Sequence, residues 1–314
     1  MKKKLKVAFT DFWVPGNQIV NDYLFQLLSK AYDLEISEDP DILFYSCFGI
    51  ENLKYRCLKI FYTPENFKPD FHLCDYAFSF EPTSSRNLQL PNFVRHPYFQ
   101  EFIHNDLPQH INKLKQQPKD RFCNFLYSND SARVRQQFCK ALSNYKHVDC
   151  PGKVLNNMPS IPTSWDKKLE FLSHYKFTIA FENQSAPGYT TEKIYHPLLV
   201  GSIPIYWGNP NASDYFNPDC FINCHDYESF DEVIDRVIEI DSNKELYNRY
   251  LNASPVDDQS LLKNLTESSI LNYFKLIFQK SSNTKAVSKK MLYWLYVSRF
   301  VVLKILRLNV IRFQ

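Results

Sequence analysis

Short β-rich runs alternate with helical or polar stretches along this chain, stop once, and start again. In the first series the strand candidates are 5–10, 41–47, 57–62 and 75–80. A helical pattern covers about Ile19 to Tyr32, with Leu24, Leu27, Leu28 and Ala31 on one stripe. A polar stretch at about 104–120, holding His104, Asn105, Asp106, Pro108, Lys113 and Pro118, reads as a linker. The second series has strands at 121–127, 146–149, 176–181, 203–207 and 220–223, with helices at 131–143, 166–174, 191–200 and 229–239. Strands separated by helices build parallel sheets, because parallel neighbours need a long crossover. Two series therefore predict an α/β protein of two doubly wound Rossmann-like domains with a cleft between them. The expected divisions are 1–115, 116–270, and a C-terminal helix with a basic tail over 271–314.

Composition narrows the chemistry. Only six glycines occur, and no two stand close enough for G-x-G-x-x-G or a Walker phosphate loop. A nucleotide must be held some other way. The net charge of +3 gives no argument for nucleic acid. Aromatic residues reach 16%, which fits either an aromatic-rich core or a surface that stacks sugars or bases. The start, Met1-Lys2-Lys3-Lys4-Leu5, imitates a signal peptide, but the apolar stretch ends at Asp11 and reads better as a buried strand. No apolar run is long enough to cross a bilayer. The eight scattered cysteines then read as reduced core residues of a cytoplasmic protein, and the sequons at Asn129, Asn183, Asn211, Asn252 and Asn264 as chance. Cys220-x3-Cys224-His225 is a poor zinc pattern without a second ligand pair. Asp39-Pro40-Asp41 resembles a metal-binding D-x-D but stands where a turn should enter a strand.

The stretch Phe181-Glu182-Asn183-Gln184-Ser185-Ala186-Pro187-Gly188-Tyr189-Thr190-Thr191-Glu192-Lys193 joins the carboxyl end of a strand to the amino end of a helix. Doubly wound sheets bind ligands there, and free N–H groups favour anions. Thr190 or Thr191 can cap the helix. Lys193 opposes the helix dipole, so it either points to solvent or meets an anion. The pattern repeats after strand 121–127, where Asp130 or Ser131 can cap a helix bearing Arg133 and Arg135 in its first turn or just after. Two helix starts that carry cations suggest a diphosphate held by side chains.

F-E-N-x(4)-G-Y-x-T-E-K, followed by Ile203-Pro204-Ile205-Tyr206-Trp207-Gly208, resembles the signature of the α1,3/α1,4-fucosyltransferases, especially the bacterial ones. Phe61-Tyr62-Thr63-Pro64-Glu65-Asn66, Cys74-Asp75-Tyr76-Ala77-Phe78-Ser79-Phe80 and Asp149-Cys150-Pro151-Gly152-Lys153-Val154-Leu155-Asn156-Asn157 match further blocks of that family in order. The resemblance implies a GT-B architecture, GDP-fucose as donor and inversion at the anomeric carbon. It implies Glu65 as general base. Arg135 and Lys193 would neutralise the diphosphate, and Asn183 and Tyr189 would add hydrogen bonds. Glu192 would hold ribose hydroxyls or sit near the cationic sugar. No metal is required, which leaves Mn or Mg at most a non-essential stimulant. The implied acceptor is an N-acetyllactosamine-like glycan, with fucose going to O3 or O4 of N-acetylglucosamine or glucose in a Lewis-type surface glycan (lipopolysaccharide O-antigen). A GT-B transferase for another nucleotide sugar, or an inactive carbohydrate-binding relative, is the alternative. Pro197, inside the helix after Thr191, should kink or shorten it.

After Glu267 there is no acidic residue, while Lys275, Lys280, Lys285, Lys289, Lys290, Arg299, Lys304, Arg307 and Arg312 follow. Apolar and aromatic residues, among them Trp294, lie between them. This suits an in-plane helix on an anionic membrane, here the inner face of the cytoplasmic membrane. The alternative is a helix packed on the N-terminal domain.

Overall fold

The computed structural model describes residues 2–162 and 164–281. The chain forms two compact units. The first takes in Met1–Leu90 and regains the chain at Glu267. It contains β1 (Lys3–Thr10), α1 (Tyr23–Ala31), β2 (Tyr32–Ile36), β3 (Ile42–Tyr45), β4 (Leu58–Tyr62), β5 (Tyr76–Ser79) and β6 (Asn87–Gln89). These strands form one sheet in the order β2-β1-β3-β4-β5-β6, with every pair parallel. Asp22 caps α1 by accepting from Leu24 N at 2.9 Å; the helix ends at Ala31, and Tyr32, expected within it, begins β2. That edge strand was absent from the expectation because its half-exposed Y-D-L-E-I lacks a buried run. The turn at Asp39-Pro40-Asp41 does enter a strand: Asp41 N bonds Lys6 O just before β3.

The second unit, Pro91–Thr266, holds α2 (Phe99–Ile103), α3 (Gln109–Lys115), β7 (Arg121–Asn124), α4 (Arg133–Leu142) and β8 (Val148–Asp149). It continues with α5 (Trp165–Leu172), β9 (Tyr175–Phe181), α6 (Glu192–Val200), β10 (Ile203–Trp207), β11 (Ile222–Asn223), α7 (Phe230–Ser242) and α8 (Lys244–Asn252). Its parallel sheet runs β11-β10-β9-β7-β8. Phe177, Ile179 and Phe181 of β9 pack with Phe138 of α4 and Val233, Val237 and Ile240 of α7. The core thus lies against the central strand, whose carboxyl end emits the signature loop.

The two compact units divide at Leu90–Pro91. The polar stretch is no linker: it contains α3, which buries Ile111 and packs on α6. At the other end α9 (Glu267–Ser281) returns to the first unit. Phe274 stacks on Phe78 with centroids 4.4 Å apart, and Lys30 pairs with Glu267 at 2.5 Å. The expected basic tail beyond Ser281 lies outside the described residues. α6 neither stops at Pro197 nor shortens; it runs on to Val200, where Gly201 ends it at φ 72°.

A candidate active site at the end of β9

β9 is buried along nearly its whole length between β10 and β7. The chain leaves it at Glu182. Gly188 adopts φ 79°, a conformation that favours glycine, and its N–H bonds Asn209 Oδ1 at 2.9 Å. Asn209 also donates to Thr190 Oγ1 at 3.0 Å, which fixes the loop. Thr191 is the N-cap of α6, yet its hydroxyl accepts from no backbone N–H of that helix. It lies 2.7 and 2.9 Å from the two carboxylate oxygens of Glu182, and Thr191 N donates to Oε1 at 2.7 Å.

Glu182 is wholly buried and is the anion that Lys193 meets, at 3.1 Å. Lys193 Nζ also donates to Thr191 Oγ1 at 3.0 Å, and Glu192 Oε1 is 3.7 Å away. Burial opposes the charge on Lys193, but Glu182 and Glu192 hold its pKa well above the ordinary lysine value. Burial also pushes the Glu182 carboxyl up, against the pull of Lys193 and Thr191. Because the backbone N–H, the hydroxyl and the ammonium all donate to it, we assign it as a carboxylate. Gly208 leaves room for this cluster: a Cβ there would meet Glu182 Cγ at 2.4 Å. Glu192 too is disfavoured by burial, yet Lys193 and then Lys168 keep it well below the usual carboxylate range.

At the second helix start neither Asp130 nor Ser131 is the cap. Asn129 Oδ1 accepts from Ser131 N, and Ala132 occupies the N-cap with no side-chain bond. Arg133 is exposed, whereas Arg135 turns inward and is 1% exposed. Its Nη2 donates to Asn183 Oδ1 at 2.7 Å, and its guanidinium lies 4.4 Å from the centroid of the Tyr127 ring. Its Nε is buried without a partner among the described residues.

Arg135, Asn183, Glu192 and Lys193 line one cavity of about 270 Å³. Tyr189 does not: it is buried, and its carbonyl accepts from Tyr206 OH at 3.4 Å. Glu65 belongs to the first unit, just past the carboxyl end of β4. It is half-buried, and its N–H bonds Oγ1 of the wholly buried Thr63 at 3.1 Å.

Three residues of the site escaped the sequence reading: Glu182, Lys168 and His196. Glu182 stands at the end of an apolar run, where only the loop's return reveals its partner. Lys168 lies on the apolar stripe of α5, four residues before Leu172, and both line the cavity. His196 also lines it, and its Nε2 lies 3.1 Å from Nδ1 of His96.

Residues 7–102 match the family described as the alpha-(1,3)-fucosyltransferase FucT N-terminal domain. Residues 116–269 match the C-terminal part of glycosyltransferase family 10 (fucosyltransferase). The alpha-(1,3)-fucosyltransferase FucT of Helicobacter pylori is 31% identical over 324 residues, covering 88% of this chain and 66% of that protein. The chain thus spans just under two thirds of that relative's length. A crystal structure of an alpha1,3-fucosyltransferase superposes with a TM-score of 0.77 at 30% identity, over 88% of this chain and 91% of the other. One solved with GDP-fucose gives 0.75 at 29% identity, with the same coverage of both chains. The two parallel sheets are those of a GT-B glycosyltransferase. The chain belongs to glycosyltransferase family 10, the fucosyltransferases.

Proposed function

We propose that this protein transfers L-fucose from GDP-fucose, with inversion, to O3 or O4 of N-acetylglucosamine or glucose in a β-galactoside-containing glycan. The observation that carries the proposal is Arg135, buried at a helix start, tied to Asn183 and lining one cavity with Lys193. A departing GDP gathers negative charge on its β-phosphate. Fixed cations at that point lower the barrier without reorganising. The relative solved with GDP-fucose supports this donor.

Glu65 is the proposed base. As the acceptor oxygen bonds to C1 of fucose, its proton passes to the Glu65 carboxylate. The bond from C1 to the β-phosphate oxygen breaks, and its electron pair leaves with GDP. Arg135 and Lys193 take the place that a metal fills in other transferases. Glu192, held ionised beside Lys193, is placed to accept from ribose hydroxyls or to face the cationic sugar. The product fits a Lewis-type surface glycan, and the basic C-terminal segment fits peripheral attachment to the inner face of the cytoplasmic membrane.

The test is incubation with GDP-fucose and type 1 and type 2 disaccharides, with the linkage read by NMR. Glu65→Gln should lower turnover about 10²–10⁴-fold and bind GDP normally. Arg135→Ala should weaken GDP as well as slow transfer. Near-normal turnover in Glu65→Gln removes Glu65 from the mechanism. Turnover with a uridine or cytidine donor instead would replace the donor, and glycan binding without any turnover would make the protein a lectin-like relative.

A further inference from the structure

Among the described residues of the cavity, Lys168 is the cation that no side chain hydrogen-bonds or meets at ion-pair distance, although it feels the charge of Glu192. Lys193 is committed to Glu182 and Thr191, and Arg135 to Asn183. Lys168 Nζ makes no hydrogen bond or ion pair among the described residues, although the side chain lines the cavity. Charge shows why this matters. Lys193 with Glu182 and Glu192 carries one net negative charge, so that trio alone repels an anion. Lys168 cancels the excess, and Arg135 then makes the cavity cationic.

The two histidines beside the cavity add no positive charge. His96 and His196 are 7% and 1% exposed. Burial drives His96 down to about 3 and His196 well below its ordinary value, so both rings are neutral at physiological pH. The Trp165 ring lies edge-on to both, at 4.3 and 4.8 Å, one turn before Lys168 on α5. Two buried polar atoms of the lining residues, Arg135 Nε and His196 Nδ1, lack partners among the described residues. A cavity with an uncommitted ammonium and two unmet polar atoms is shaped for a ligand that carries several acceptor oxygens.

We propose that Lys168 is a diphosphate ligand of this site, the third cation beside Arg135 and Lys193 and the one that sets the net charge an anionic donor meets. This rests on the cavity being the donor site. The ligand class is a nucleoside diphosphate or its sugar ester. Burial lowers the Lys168 pKa, so its charge is disfavoured in the empty cavity and relieved when a phosphate arrives.

The experiment compares the full chain with Lys168→Met, Lys168→Gln and Lys168→Arg. GDP binding is read by calorimetry, guanosine binding by saturation-transfer NMR, and folding by thermal unfolding. Methionine and glutamine should each weaken GDP roughly tenfold to a hundredfold. Arginine should recover most of the loss, and guanosine, which has no phosphate, should bind all four proteins alike. Wild-type GDP affinity in either neutral variant overturns the assignment. So does equal loss of GDP and guanosine in a variant that unfolds at the wild-type temperature. If the wild type itself binds no GDP, the donor reading falls and takes this proposal with it. Retention of GDP by the neutral variants removes this proposal alone.

Discussion

His96 Nδ1 and His196 Nε2 lie 3.1 Å apart on two buried rings, so one proton serves both nitrogens of the contact. Burial depresses both pKa values, His96 to about 3, against about 6.5 in the unfolded chain. Below pH 6.5 the unfolded chain takes up protons that the folded one refuses, so stability falls as pH falls. Each histidine contributes a slope of up to about 1.4 kcal/mol per pH unit, and neither contributes above that range. Urea unfolding between pH 7.5 and 5 should show this slope, and His96→Gln should lessen it by one histidine's share. Equal slopes in both proteins would mean that His96 titrates normally. At this scale the sequence reveals that a residue is out of place and conceals what corrects it. Lys193 opposes the dipole of its own helix, which spacing alone discloses. Its anion, Glu182, is supplied by a loop that doubles back, and no periodicity encodes that return. Arg133 and Arg135 read alike as cations at the helix start, but Arg135 lies on the buried face of α4 with Phe138, Cys139 and Leu142, whereas Arg133 is exposed.

Among the elements, the long apolar runs were legible: β1, β3, β4, β9 and β10 lie where their buried stretches predict. Short or half-exposed pieces were not, because β2 and β6 show little buried face and α3 buries only Ile111. The polar stretch taken as a linker is instead a junction. Lys119 Nζ lies 3.2 Å from the carbonyls of Leu114 and Lys115, 2.7 Å from that of Ser173 and 2.9 Å from that of Val200. Those carbonyls end α3, α5 and α6, so one ammonium caps three helices at their negative ends. Lys119→Met should strip the charged donor from these carbonyls and cost roughly 1.5–3 kcal/mol in urea unfolding. A change within about 0.5 kcal/mol would show that the junction is held by packing instead. Pro197 carries a related lesson. It forfeits a helix bond, but its carbonyl accepts from Ser202 N at 3.0 Å and from the Gly201 N–H, so the last turn persists.

On the scale of the whole molecule, reading the two βαβ series gave the two units but not the path of the chain. The first unit closes only when α9 comes back to it, and the stacking of Phe274 on Phe78 has no local signature. The charge distribution, in contrast, is plain from the sequence. No acidic residue follows Glu267, and Lys285, Lys289, Lys290, Arg299, Lys304, Arg307 and Arg312 stand beyond the described helix. Met291 to Val297 is apolar or aromatic throughout, far too short to span a bilayer. Each basic residue near an anionic leaflet contributes about 1 kcal/mol, and that attraction weakens as salt rises. The full chain should therefore sediment with anionic vesicles at low salt and less so at high salt. Truncation after Lys285 should abolish sedimentation and leave transfer to soluble disaccharides intact, since none of the cavity residues lies beyond Pro197. Equal sedimentation of both forms at low and high salt would assign these charges to something other than a membrane surface.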